Sequence, residues 1–152
     1  MTIYRIARTE FCDMSGEGAK IYGGRWNRQG FAALYGSSSV SSALLERLTV
    51  DSELFSSERY VLYSVMELDC PDAMVKKYAA SDLPEGWDAI PHRSVSEEFG
   101  SQLLTGGLLC FGVPSVVDKS SLNFIINPMS RDFDKIDARI LPLSLDQRIV
   151  RG

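Results

Sequence analysis

Every apolar run in this chain of 152 residues is short, and that brevity limits the folds open to it. The longest stretch, around Leu108–Val113, is far below the ~20 residues that cross a bilayer as a helix. Strand-like and helix-like segments follow in the order β, β, α, β, α, β, β, β. That many strands exclude a helical bundle, and the irregular order excludes the regular alternation of a doubly wound sheet. The expected fold class is α+β, a compact mixed sheet with short helices. Residues 1–152 are read as a single domain, with 45% hydrophobic and 24% charged residues sufficient for one core.

Thr2–Ala7 predicts an opening strand with Tyr4 and Ile6 on one face. Residues 12–24 are rich in Gly, Ser and charge and read as a loop. Phe31–Tyr35 reads as a strand, followed by Ser37, Ser38 and Ser39 as helix-cap candidates. The helix they begin runs over 39–48, with Val40, Ala43, Leu44 and Leu48 as its apolar stripe. β-Branched and aromatic residues mark 59–68 as a strong strand. A turn-rich middle, 80–94, precedes a short helix over 95–104. Residues 107–117 read as a strand interrupted at Gly112-Val113-Pro114-Ser115. A further strand, 123–126, stops at Asn127-Pro128. Arg139–Leu143 and a tail through Asp146 and Arg148 close the chain.

Twenty acidic residues against sixteen basic ones give a formal net charge of -4, a poor match for direct binding to nucleic acid. Of the 16 basic residues, 11 are Arg, which suits bidentate contact with a phosphate or carboxylate. Cys12, Cys70 and Cys110 are widely spaced and read as reduced structural thiols of a cytoplasmic protein. His92 is the one histidine and lies in a loop-like segment. This leaves no histidine zinc motif and little basis for a Ser-His-Asp triad. No metal site is expected.

Several residues then stand out singly. Arg25, within Gly24-Arg25-Trp26-Asn27, is either part of a surface turn or a phosphate grip beside flexible backbone. Tyr35 at a strand end and Glu46 on the following helix form either a core boundary or a pocket wall. Ser115 is either a hydroxyl bonded to nearby backbone or a site residue. Asn127-Pro128 is most simply a turn.

Taken in order, these residues resemble the RES domain family, named for its Arg, Glu and Ser residues. The resemblance rests on Tyr4-Arg5, Gly23-Gly24-Arg25-Trp26-Asn27, Leu34-Tyr35, Ser37–Ser39 and Ala43-Leu44-Leu45-Glu46. It continues through Val113-Pro114-Ser115, Asn127-Pro128 and Asp146-Gln147-Arg148, nearly the whole chain. Val50 stands where members often carry His, and Gly100-Ser101-Gln102-Leu103 replaces a usual Gly-Asp-x-Trp.

The resemblance implies an ADP-ribosyltransferase-like fold and a toxin of a bacterial toxin–antitoxin pair that cleaves the nicotinamide–ribose bond of NAD+. NAD+ enters as substrate, with phosphate or water as acceptor and no cofactor. Glu46 would stabilise the ribose cation, Arg25 would grip phosphate with Arg5 assisting, Tyr35 would bound the nicotinamide ribose and Ser115 would orient. Arg5, Arg25, Tyr35, Ser115 and Asn127 are the substrate-binding set it implies. The implied partner is an antitoxin of the Xre-like helix-turn-helix type, which would make any DNA contact itself; a homodimer is left open. Alternatives are mono-ADP-ribosylation of a protein, or an inactive binding module to which the Val50 and Ser101 departures point.

Overall fold

The alternation of Thr2–Arg8 (β1) sends Ile3 and Ala7 into one core layer and Tyr4 and Ile6 into another. In the computed structural model, which describes residues 1–152, this strand lies inside a seven-stranded sheet. The other strands are Leu34–Ser37 (β2), Tyr63–Asp69 (β3), Val75–Lys77 (β4), Cys110–Pro114 (β5), Leu122–Ile126 (β6) and Asp137–Pro142 (β7). Their order is β4-β5-β6-β2-β1-β3-β7, antiparallel throughout except for β4 beside β5. Three short helices complete the mixed α+β fold: Glu17–Tyr22 (α1), Val40–Leu48 (α2) and Ser94–Thr105 (α3).

The centre of the sheet is covered on both faces, so β6 carries a continuous apolar run rather than an alternation. Phe124 and Ile126 pack with Ile3, Leu34 and Cys110, while Ile125 joins Trp26, Phe111 and Leu104. Cys12, Cys70 and Cys110 are free and buried, as thiols packed within the core would be. No helix is long and apolar enough to cross a membrane.

One irregularity in the pairing opens the sheet between β1 and β2. β1 pairs with β3 along its whole length, from Thr2↔Asp69 to Arg8↔Tyr63, yet meets β2 only at Tyr4↔Ser37. Beyond Tyr4 the two strands separate, and the β1 edge from Arg5 to Arg8 faces a cavity instead of a neighbour.

Helix α2 stands beside this opening. Its cap is the expected one, with Ser39 Oγ accepting a hydrogen bond from Ser42 N at 3.1 Å. Ala43 packs with Ile6, Leu54, Tyr63 and Val65. Asp51, just beyond the helix, accepts from Arg59 Nη2 at 2.7 Å and Tyr63 Oη at 2.6 Å. It thereby ties the α2 exit to β3.

The structure differs from the sequence reading in a few elements. Residues 12–24 are not all loop, because Asp13 and Ser15 build a turn that starts α1. Ser15 N and Oγ both bond Asp13 Oδ1, and Glu17 N donates to Ser15 Oγ at 3.2 Å. Gly16 and Gly18 had hidden the helix, since glycine has low helix propensity. Strand β3 begins at Tyr63 because Tyr60–Leu62 form a single 3-10 turn. β4, only 3 residues long, is too brief to show a period.

The Asp51 anchor gives a pH prediction. Hydrogen bonds from Arg59, then Tyr63, hold its carboxyl below the ordinary value of 3.8. A carboxyl lowered by folding contributes stability above its unfolded value and loses it as pH falls through the folded one. Thermal melts should therefore show Asp51→Asn several degrees less stable than wild type at neutral pH. That gap should narrow on acidification below 3.8.

Candidate active site

The opening between β1 and β2 is a cavity of about 930 Å³, near the upper end of the ~300–1,000 Å³ typical of small-molecule sites. Its walls come from β1, α1 and the turn after it, β2, α2 and Asn123 of β6. On α2 the cavity-facing residues are Ala43, Glu46 and Arg47, the i, i+3, i+4 spacing of one helical face, and Thr49 and Val50 follow just beyond its end.

Glu46 is fixed by two polar residues, one just after β5 and one in β6. Ser115 Oγ donates to Glu46 Oε1 at 2.5 Å and Asn123 Nδ2 donates to the same oxygen at 2.7 Å. Glu46 Oε2 has no protein partner, so one carboxylate oxygen is held and the other is left for a ligand. Asn123 is itself oriented by Ser37, whose hydroxyl donates to Asn123 Oδ1 at 3.1 Å across the Ser37↔Asn123 register pair.

Ser115 is 1% exposed and does not line the cavity. Its oxygen accepts from Val117 N and Asp118 N, each at 3.1 Å. These donors leave the hydroxyl proton directed at Glu46.

Arg25 is presented by a tight turn in which Gly24 N donates to Asn27 O at 3.0 Å. Tyr35 Oη clamps this turn, accepting from Trp26 N at 3.1 Å and donating to Asn27 Oδ1 at 2.5 Å. Asn27 Nδ2 ties the turn to the carbonyls of Ala19, Arg28 and Phe31. Glycine is required at position 24, because a Cβ there would meet Tyr35 Oη at 2.7 Å. Burial raises the Tyr35 pKa, and both hydrogen bonds of its hydroxyl hold this turn. Arg25 Nη1 donates to Trp87 O and Ala89 O at 3.0 and 2.8 Å, leaving its other nitrogens without a protein acceptor. Burial lowers the Arg25 pKa while the Glu46 charge opposes that shift.

Arg5, Arg25, Tyr35 and Glu46 therefore share one cavity, with Ser115 immediately behind Glu46. Asn127 does not join them. It is 2% exposed and outside the cavity, with Nδ2 donating to Leu104 O and Oδ1 accepting from Met129 N, both at 3.0 Å. Its bonds close the end of β6 against α3, so the structure does not bring it together with the other four. His92 lies at the surface, 3.2 Å from Glu97. No group of three or more His, Cys, Asp or Glu side chains is arranged to hold a metal ion.

Asn123 and Arg47 were missed in the sequence. Asn123 is a polar residue in an apolar strand, while Arg47 belongs to the helical stripe that Glu46 defines. At the two departures from the family pattern, Val50 is exposed at the cavity mouth. Buried Ser101 accepts a hydrogen bond from Arg28 N at 3.0 Å.

The split mixed sheet thus carries an arginine, a clamped glutamate and a serine behind it. The RES domain matches residues 2–146 of this chain; the chain belongs to the RES domain family. "Toxin Res" of Photorhabdus laumondii is 32% identical over 159 residues, covering 100% of this chain and 99% of its own length. "Prs ADP-ribosylating toxin" of a Sphingobium species is 41% identical over 155 residues, covering 95% of this chain and 92% of its own length. A chain in the crystal structure of the M. tuberculosis MbcT–MbcA toxin–antitoxin complex shares the fold. Its TM-score is 0.74 at 18% identity, covering 94% of this chain and 84% of that one.

The clamp on the arginine turn is directly measurable. Tyr35→Phe leaves Trp26 N without its acceptor, a loss of about 1–3 kcal/mol for an unsatisfied buried donor. Hydrogen exchange should show faster exchange at the Trp26 amide, with the β6 amides still protected.

Proposed function

We propose that this chain is the toxin of a bacterial toxin–antitoxin pair and that it acts on NAD+, breaking the bond between nicotinamide and ribose. The observation that carries the reading is the Glu46 carboxylate, held at one oxygen and free at the other in the wall of a large cavity that also contains Arg25. The names of the relatives support the toxin assignment.

The residues suit that reaction. Nicotinamide in NAD+ is cationic and leaves as a neutral molecule with the bonding electron pair, so no acid is needed to expel it. The ribose C1′ becomes oxocarbenium-like as the bond lengthens. A fixed carboxylate beside it stabilises the developing positive charge without reorganising. Glu46 fills this role, with Oε2 available to hold a ribose hydroxyl. Arg25 binds phosphate oxygens through the guanidinium nitrogens not committed to Trp87 and Ala89. The Tyr35 ring bounds the nicotinamide ribose, and Ser115 and Asn123 hold Glu46 in register. Phosphate or water then forms the new C1′–O bond and releases a proton, giving ADP-ribose 1-phosphate or ADP-ribose.

A second reading, mono-ADP-ribosylation of a protein, is favoured by the relative named an ADP-ribosylating toxin. It uses the same cation and the same Glu46, and differs only in the nucleophile. In either case the partner is an antitoxin of the Xre-like helix-turn-helix type. Exposed Ile21, Tyr22 and Val50 at the cavity mouth offer an apolar rim for a covering segment, and this chain's charge of -4 leaves DNA contact to the antitoxin.

Purified chain incubated with labelled NAD+ tests the reading. Free nicotinamide should accumulate with label in ADP-ribose or its 1-phosphate, and Glu46→Gln should slow release at least about a hundredfold. Label retained on protein would select the second reading, while NAD+ left intact both with and without added bacterial protein would reject both.

A further inference from the structure

The reaction centre around Glu46 leaves two arginines of the cavity wall unexplained. Arg5 stands on β1 where that strand has left β2, and Arg47 follows Glu46 on α2; both line the cavity. Neither has a carboxylate within ion-pair distance, whereas Arg8, Arg28, Arg59, Arg139 and Arg148 each do. Neither guanidinium donates a hydrogen bond, and the Nε of each is enclosed without a partner. Enclosed charged donors without acceptors are unfavourable, and natural folds rarely keep them unless they have a use.

The two guanidiniums also act on each other. Burial lowers the Arg5 pKa and the Arg47 charge adds to that effect, opposed by Cys12 and Asp13. Asp13 attracts Arg5 from beyond ion-pair distance, with its Oδ1 accepting from Ser15 N and Oγ. The charges acting on Arg25 are a different set: Glu46, Asp88 and Tyr35. The cavity thus holds two cationic points rather than one. Arg47 is also preorganised, with its guanidinium carbon 5.5 Å from the centre of the Tyr63 ring and Tyr63 bonded to Asp51.

We propose that Arg5 and Arg47 form a second anion subsite that holds a phosphate group, making Arg47 a substrate-contacting residue in addition to the set around Glu46. An anion between the two would meet the terminal nitrogens of both, which also lack acceptors, and relieve their mutual repulsion in one step. The proposal rests on the NAD+ reading for the source of the phosphate, which is either the pyrophosphate of the dinucleotide or free inorganic phosphate approaching the ribose.

Calorimetric titration of the full chain with ADP-ribose and, separately, with inorganic phosphate tests this. The proteins compared are wild type, Arg47→Gln and Arg47→Met, the last keeping an apolar stem over Tyr63, and ligand-free melts identify which variants are folded. A folded variant should lose about tenfold in affinity for at least one ligand, the effect of removing a charge-assisted bidentate contact. Loss for ADP-ribose assigns the subsite to the pyrophosphate, and loss for phosphate assigns it to the acceptor. A folded variant within about threefold of wild type for both ligands overturns the proposal, as does wild type that binds neither. If binding depends on Arg47 but wild type leaves NAD+ intact, the subsite stands and the catalytic reading falls.

Discussion

The separation of β1 from β2 beyond Tyr4↔Ser37 is the constraint on which the rest of the structure depends. An unpaired strand edge inside a sheet leaves backbone donors and acceptors without a ladder, a state that folds normally cover or avoid. Here the exposed edge, Arg5–Arg8, becomes one wall of a cavity, and α2 becomes another. Full pairing of the two strands would close the sheet and remove the space in which Glu46 and Arg25 can meet a ligand. Because β1 remains fully paired with β3, the opening is rigid on one side.

Holding a carboxylate beside that opening requires polar groups to be carried into an apolar sheet. Ser115 follows directly on β5 and Asn123 lies in β6, strands whose residues are among the most buried in the chain. Each has its own supporting bonds, to Val117 N and Asp118 N in one case and to Ser37 in the other. Complete satisfaction of such a network is what makes it a rigid support rather than a source of instability. Arg5 and Arg47 are the contrast. Their enclosed Nε atoms lack partners, so the cavity sets a supported carboxylate against unpaired cations suited to an anionic ligand.

Much of this was legible in the sequence where the signal was local. Ser39 and the stripe from Val40 to Leu48 specified α2 together with its cap. The run Phe124-Ile125-Ile126 specified a strand, and the short alternating segments excluded a bundle. The ordered set Arg25, Tyr35, Glu46 and Ser115 marked the site through a resemblance rather than through periodicity. What stayed hidden depended on pairing across long separations. Asn123 reaches Glu46 only because β6 lies beside β2, and Arg47 matters only because β1 leaves β2. Asn127 belongs to the same motif set but is used by the fold, since backbone groups at the end of β6 claim both ends of its amide. Helix α1 was obscured by its glycines.

The central claim is that a fixed Glu46 beside Arg25 turns this opening into a site that breaks NAD+. Inducing the chain in bacterial cells and quantifying NAD+ as growth slows tests it most directly. The account predicts that NAD+ falls with wild-type protein, while Glu46→Ala and Arg25→Ala, made at equal levels, leave NAD+ and growth intact. Growth arrest at constant NAD+, or an equal fall of NAD+ with Glu46→Ala, would contradict it.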